Sequence, residues 1–464
     1  MTMGNPRLPG GWRCVIGGVL AGLAPNAGGP LLMVPALALL WSVLESRRAC
    51  AVWAGLAVLV SHCWLLALHP LTWMGVPGPL SLPVAVLLWL ACAVLAAGLA
   101  VIWSTLAQQL PQRWPPVVRV LLLAVVWAVA ELLLSGSPLF WIGVGGSTLP
   151  WDRPLAGLAR WFGSGGLALM QLGWGWCLLV VVQHRRFDRG CWLGGLVSLL
   201  LAHGLGAALL KAPPIDSGAV DLALWQPAVP TREKFDPQRQ KRVVEELLAA
   251  MAIANDSNVE ALIAPEGALP SSFRLPLQAP SLPLISGGFR WVRGQQRSSI
   301  LLFSEPGQQP VPLLDKHRLV PIGEWMPPLP AGLSAGLSAV GGLQPGPASR
   351  NLAQLDPPAA AAICYEIADG TALAKASARG ATWLLTIANL DPYPPQLQEQ
   401  FLALAQLRAI ETGRDLLSVA NTGPSALISA TGHVQRLLPF GEAGVARARV
   451  QIHERVTLYS RLVD

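Results

Sequence analysis

The pattern of apolar and polar positions changes near residue 212. Before it, apolar residues gather in seven runs, roughly 12–24, 27–44, 49–68, 82–107, 117–135, 163–183 and 190–210, separated by short connections rich in Gly and Pro or bearing Arg. Runs of this kind predict membrane-spanning helices, the first two being short for the task. After it, shorter apolar stretches alternate with amphipathic ones. Val220 to Trp225, Ala261 to Pro265, Leu284 to Gly287, Ile300 to Ser304, Ala359 to Cys364 and Trp383 to Ile387 read as strands, and Gln238 to Ala254 and Gln396 to Thr412 as helices. The expected organisation is a multi-span transmembrane α-helical bundle over residues 1–211 and a layered α/β domain over 212–464.

Composition sharpens this division. Of 464 residues 53% are hydrophobic and only 13% charged, too apolar for an ordinary soluble chain, and nearly all the acidic residues lie beyond residue 214. Basic residues set the orientation. With the N-terminus in the cytoplasm, the inner connections hold Arg7, Arg13, Arg47, Arg48, Arg113, Arg185, Arg186 and Arg189, against Arg153, Arg160 and the flanking Lys211 outside. Seven spans then carry the second half across the membrane, into the periplasm of a Gram-negative cell. The net charge of +7 is explained by these flanking positions and implies no nucleic-acid partner; no zinc-ligand spacing, phosphate-binding glycine loop or RNA-binding aromatic motif is present.

Candidate chemistry lies in the second half. Cys364 is its only cysteine, whereas Cys14, Cys50, Cys63, Cys92, Cys177 and Cys191 lie in or beside apolar runs, as small core residues do. A solitary thiol in an oxidising compartment is either buried and inert or kept for reactivity. Glu266, at the end of an apolar strand, reads either as a turn residue or as a partly desolvated carboxylate suited to act as a base. Lys316, within Leu314-Asp315-Lys316-His317-Arg318, reads either as a surface charge or as a cation that stabilises a thiolate and an oxyanion.

Taken together, Ala264-Pro265-Glu266-Gly267-Ala268-Leu269-Pro270, the stretch from Asp315 to Pro327 (Asp-Lys-His-Arg-Leu-Val-Pro-Ile-Gly-Glu-Trp-Met-Pro) and Ile363-Cys364-Tyr365-Glu366 resemble the catalytic motifs of the apolipoprotein N-acyltransferases. That family joins a multi-span membrane domain to a nitrilase-like (carbon-nitrogen hydrolase) α-β-β-α domain. The resemblance implies Cys364 as nucleophile, Glu266 as general base and Lys316 as stabiliser of developing charge, supported by Glu324, Tyr365 and Glu366. It also implies substrate contacts at Phe235, within Lys234-Phe235-Asp236, at Trp325 and at Asn389. The implied reaction is ping-pong acyl transfer from a phospholipid donor in the bilayer to an amine, in the family the N-terminal cysteine of a lipoprotein, without cofactor or metal. The implied location is the bacterial inner membrane, with the catalytic domain periplasmic.

Some segments depart from the family pattern. Ala388-Asn389-Leu390-Asp391-Pro392-Tyr393 stands in place of Ser-Asn-Asp and a Trp-Phe pair, Gln398-Glu399-Gln400 in place of a Gln-His pair, and the chain stops at Asp464, where the family continues into one more span. These departures resemble the conjugal-transfer proteins of the TraB type. They lead one to expect a different acceptor, a conjugation apparatus as partner, or a membrane amidase.

Overall fold

The computed structural model describes residues 10–74, 76–183, 189–211, 216–234, 236–270, 272–321, 323–325 and 342–464. The chain forms two compact units. One comprises residues 1–67, 82–134 and 141–209; the other comprises 68–81, 135–140 and 210–464.

In the first unit a helix stands over each of the seven apolar runs: α1 (Gly10–Leu23), α2 (Pro30–Ser42), α3 (Arg47–Ser61), α4 (Gly78–Gln109), α5 (Pro116–Ser135), then, after the single turn α6 (Arg153–Ala156), α7 (Ala159–Gln183) and α8 (Arg189–Lys211). Among the described residues four are able, by length and composition, to cross a membrane: α4, α5, α7 and the part of α8 from Trp192; α1 and α2 are apolar but shorter. The third run differs most from expectation. Ser46 caps α3 by accepting a hydrogen bond from Ala49 N, so the helix starts at Arg47, and it ends at Ser61, followed by a 3₁₀ turn over Cys63–Leu68. Packing inside the unit relies on glycine: a Cβ on Gly18 would lie 2.5 Å from the Trp53 carbonyl oxygen, so only glycine lets α1 approach α3 this closely. Glu131, polar in an apolar run, accepts from Trp127 Nε1, Val144 N and Gly145 N, which gives it a structural role in holding the 143–145 turn.

The second unit contains two six-stranded sheets. One has the order β12-β1-β2-β3-β4-β5, from β1 (Asp216–Gln226), β2 (Ala261–Ala264), β3 (Leu284–Val292), β4 (Gln295–Phe303), β5 (Val311–Asp315) and β12 (Gly444–His453). The other has the order β11-β10-β9-β8-β7-β6, from β6 (Asn351–Leu352), β7 (Ala359–Ile363), β8 (Trp383–Ala388), β9 (Leu416–Ala420), β10 (Ser425–Ile428) and β11 (Val434–Leu438). Strands β1, β2 and β3 are parallel, as are β7, β8 and β9; the outer strands pair antiparallel.

The sheets face each other through β1, β2, β8, β9 and β12. Helix α9 (Pro237–Asp256) covers the first sheet, and α10 (Gly370–Ala378) and α11 (Pro395–Thr412) cover the second, so the layers run α-β-β-α, as expected. Burial on both faces explains why β7 and β8, all of whose residues are buried, read as unbroken apolar runs without alternation. Helix α9 is capped by Asp236 with Pro237 at its first position, and lays Val243, Leu247, Ala250, Met251 and Ala254 into the core.

Candidate active site

The candidate side chains emerge where strands end. Glu266 lies two residues past β2, Lys316 directly follows β5, Cys364 directly follows β7 and Asn389 directly follows β8. Strand β3 passes close beneath the first of them, since a Cβ on Gly287 would lie 2.5 Å from the Glu266 Cα. Cys364 has φ 52°, in the left-handed region that costs a side-chain-bearing residue about 1–3 kcal/mol and persists only where the surroundings enforce it. The 3₁₀ turn Cys364–Ala368 that follows is held by Glu366, whose Oε2 accepts from Ile363 N at 2.9 Å.

Lys316 is wholly buried. Its Nζ donates to Glu266 Oε1 at 2.8 Å and to Glu324 Oε1 at 2.7 Å. Burial works against the ammonium, but the two carboxylates outweigh it and hold the Lys316 pKa well above that of an ordinary lysine. The other oxygens of the acids are occupied too: Glu266 Oε2 accepts from Asn389 N at 3.2 Å and Glu324 Oε2 from Val320 N at 2.9 Å. Burial, with Lys316 opposing and Glu266 assisting, raises the Glu324 pKa. The Cys364 thiol is pushed well above its usual pKa, chiefly by burial and by the adjacent Glu266 carboxylate, with Lys316 pulling the other way. It is therefore a thiol at rest and needs a base to become a nucleophile; Glu266 lies within hydrogen-bonding reach.

Glu366 is spent on backbone and arginine donors. Its Oε1 accepts from His317 N, Arg318 N and Arg350 Nη1 at 2.7, 3.0 and 2.7 Å, tying the chain after Lys316 to the turn that begins at Cys364. Tyr365 points to a different place, with its hydroxyl 2.8 and 2.7 Å from the carbonyls of Pro138 and Phe140. Arg318 lies 4.1 Å over the Tyr365 ring and donates to the carbonyls of Ser135, Ser137 and Phe140.

A cavity of about 230 Å³ opens onto Cys364, Glu266 and Glu324. Val229, Val243, Leu269, Phe289 and Val320 make one part of its wall apolar; Thr231, Lys234, Arg239 and Gln240 make another part polar. Asn389 lines it, its Nδ2 donating to Thr231 Oγ1 and its Oδ1 accepting from Asn421 Nδ2. Trp325 does not line the cavity and is 42% exposed. Phe235 lies outside the described residues. Arg350 and Lys234 were not singled out by the sequence as site residues: Arg350 stands in Ala348-Ser349-Arg350-Asn351 without a local pattern, and only the fold brings it to Glu366. Among the described residues no cluster of His, Cys, Asp and Glu could hold a metal ion.

The departure at 388–393 lies at the site itself: Asn389, Pro392 and Tyr393 line the cavity, and Asn389 N donates to Glu266 Oε2. Gln398 Nε2 donates to the carbonyls of Leu390 and Tyr393, each at 3.0 Å, closing the turn that follows Asn389. A family profile described as carbon-nitrogen hydrolase matches residues 283–458. A protein of Parasynechococcus marenigrum described as apolipoprotein N-acyltransferase is 61% identical, covering 99% of both chains, and one of Prochlorococcus marinus strain MIT 9313 with the same description is 54% identical, covering 99% of this chain and 94% of that one. Among solved structures, Saccharomyces cerevisiae Nit3, of branch 10 of the nitrilase superfamily, aligns at 15% identity and a TM-score of 0.37, covering 52% of this chain and 93% of that one. The conjugal-transfer reading and a conjugation partner find no support in these relatives. The second unit is thus a nitrilase-like carbon-nitrogen hydrolase domain, and the chain belongs to the apolipoprotein N-acyltransferase family.

Proposed function

We propose that this protein is a membrane N-acyltransferase that moves an acyl chain from a phospholipid to Cys364 and then to the amine of a lipoprotein's N-terminal cysteine. The observation that carries the residue roles is the buried Glu266–Lys316–Glu324 cluster beside a thiol set in a left-handed turn and open to a cavity with an apolar wall. Glu266 takes the thiol proton. The Cys364 sulfur attacks the donor's ester carbonyl, and the Lys316 ammonium stabilises the oxyanion of the tetrahedral intermediate. Collapse breaks the carbon–oxygen bond, and the departing lysophospholipid takes the proton from Glu266. The neutral amine then attacks the thioester, Glu266 accepts its proton, and collapse expels the thiolate, which recovers the proton as the amide leaves. Glu324 keeps Lys316 charged and in place.

The apolar wall suits an acyl chain, and burial of the thiol keeps water from a thioester that would otherwise hydrolyse. The proposed setting is the inner membrane with the second unit in the periplasm, on the asymmetry of basic residues between alternate connections and a count of seven spans. The test is incubation of detergent-solubilised protein with phospholipid bearing a labelled acyl chain, followed by intact mass spectrometry. A hydroxylamine-sensitive adduct absent from Cys364→Ala supports the reading; a thiol that alkylates but takes no acyl group overturns it.

A further inference from the structure

The polar wall of the cavity carries two basic side chains, Arg239 and Lys234, while a third, Lys316, is buried beside Glu266 and Glu324. Their charges are disposed differently. Lys316 is shared between two carboxylates, and Arg239 meets Glu246 Oε1 at 2.6 Å and Glu233 Oε2 at 3.7 Å. Lys234 donates to the Gly267 carbonyl at 3.1 Å and makes no ion pair among the described residues. An ammonium has three N–H donors, so two of them remain for a ligand.

The electrostatic balance near the sulfur sharpens the point. Near the sulfur, Glu266 and Glu324 share the one ammonium of Lys316, Asp391 adds a further carboxylate acting on Lys234, and Arg239 on the wall is already paired with Glu233 and Glu246. A donor that enters with its own negative charge is repelled there unless a further cation receives it.

We propose that Lys234 is the subsite for the phosphodiester of the donor phospholipid. The ammonium takes the phosphate oxygens as a point charge, and the glycerol backbone places the acyl ester at the Cys364 sulfur while the chain lies along the apolar wall. This rests on the acyltransfer reading above. It adds that the site selects an anionic phosphodiester and not merely a glyceryl ester.

The test uses the full chain in detergent and two donors with identical acyl chains, phosphatidylglycerol and the neutral diacylglycerol, with formation of acyl-Cys364 followed over time. The wild type is expected to prefer the phospholipid. Lys234→Met is expected to lower the ratio of phospholipid to diacylglycerol kcat/KM about ten-fold or more, and Lys234→Arg to retain most of it. If both donors slow by one factor, Lys234 acts on Glu266 or Cys364 and the phosphate subsite is wrong. If the wild type shows no preference between the donors, the proposal falls as well. A wild type acylated by neither donor would overturn the acyltransfer reading itself, and the subsite with it.

Discussion

At the scale of single residues, the site is a set of buried charges each of which depends on another. Removing the proposed base is the cleanest probe of this. Glu266→Gln keeps the shape but leaves a thiol of raised pKa without its proton acceptor, so the rate of acyl-Cys364 formation is expected to fall about 10²- to 10⁴-fold, read as the initial rate of the hydroxylamine-sensitive adduct. Lys234 adds a pH dependence. Burial lowers its pKa to about 8 against the opposing pull of Glu266, Asp391 and Cys364, and Arg239 with its partners Glu233 and Glu246 lies on the same wall. It is cationic below that pH and neutral above it, so the KM for phosphatidylglycerol should rise as pH passes 8 while that for diacylglycerol should not follow. Equal profiles for the two donors would remove this prediction.

At the scale of elements, the strand ends that carry the site are pinned by ion pairs set back from the cavity. Asp315, the last residue of β5 and the neighbour of Lys316, accepts from Arg290 on β3 and from Arg297 and Ser299 on β4. Burial opposes its charge, yet these donors hold its pKa down to about 2. A carboxylate depressed in the folded state contributes stability that is present above its unfolded pKa of about 4 and is lost as pH falls through the folded value. Asp315→Asn should therefore cost about 2 kcal/mol at neutral pH and flatten the acid limb of the unfolding curve between about pH 4 and pH 2, as chemical denaturation at stepped pH would measure. Arg350 and Glu366 are a second pin, each 3% exposed and joined at 2.7 Å. Arg350→Met strands a buried carboxylate and should cost about 3–5 kcal/mol, seen as a lower midpoint of thermal unfolding; a shift within error would mean that the backbone donors to Glu366 suffice by themselves.

At the scale of the whole molecule, the open quantity is topology. Among the described residues four helices are able to cross a membrane by length and composition, and the seven-span count requires α1, α2 and α3 to cross as well. The count decides the side on which the second unit works, and cysteine labelling reads it directly. A membrane-impermeant maleimide applied to cells with a permeable outer membrane should label Leu277→Cys, at a position 82% exposed in the second unit, and should spare Glu45→Cys, in the connection between α2 and α3. The opposite pattern would put the catalytic unit in the cytoplasm, where the lipoprotein acceptor proposed here could not be reached from outside.

Much of this was legible in the chain itself because it depends on local spacing. Apolar run length marked where helices stand in the first half, short apolar stretches located β1, β2, β3, β4, β7 and β8, amphipathic spacing located the helices α9 and α11, and three short motifs pointed to Glu266, Lys316 and Cys364 as candidates. A motif records which residues follow one another along the backbone. What it does not record is which side chains from distant strands share one buried space. Only the tertiary fold placed Glu324 and Glu266 on the same ammonium, brought Arg350 to Glu366 across the β6–β7 pair, and set Cys364 in a left-handed turn. The same packing left Trp325 outside the cavity and Lys234 on its wall without an ion-pair partner among the described residues, because burial and charge balance are properties of neighbourhoods in space.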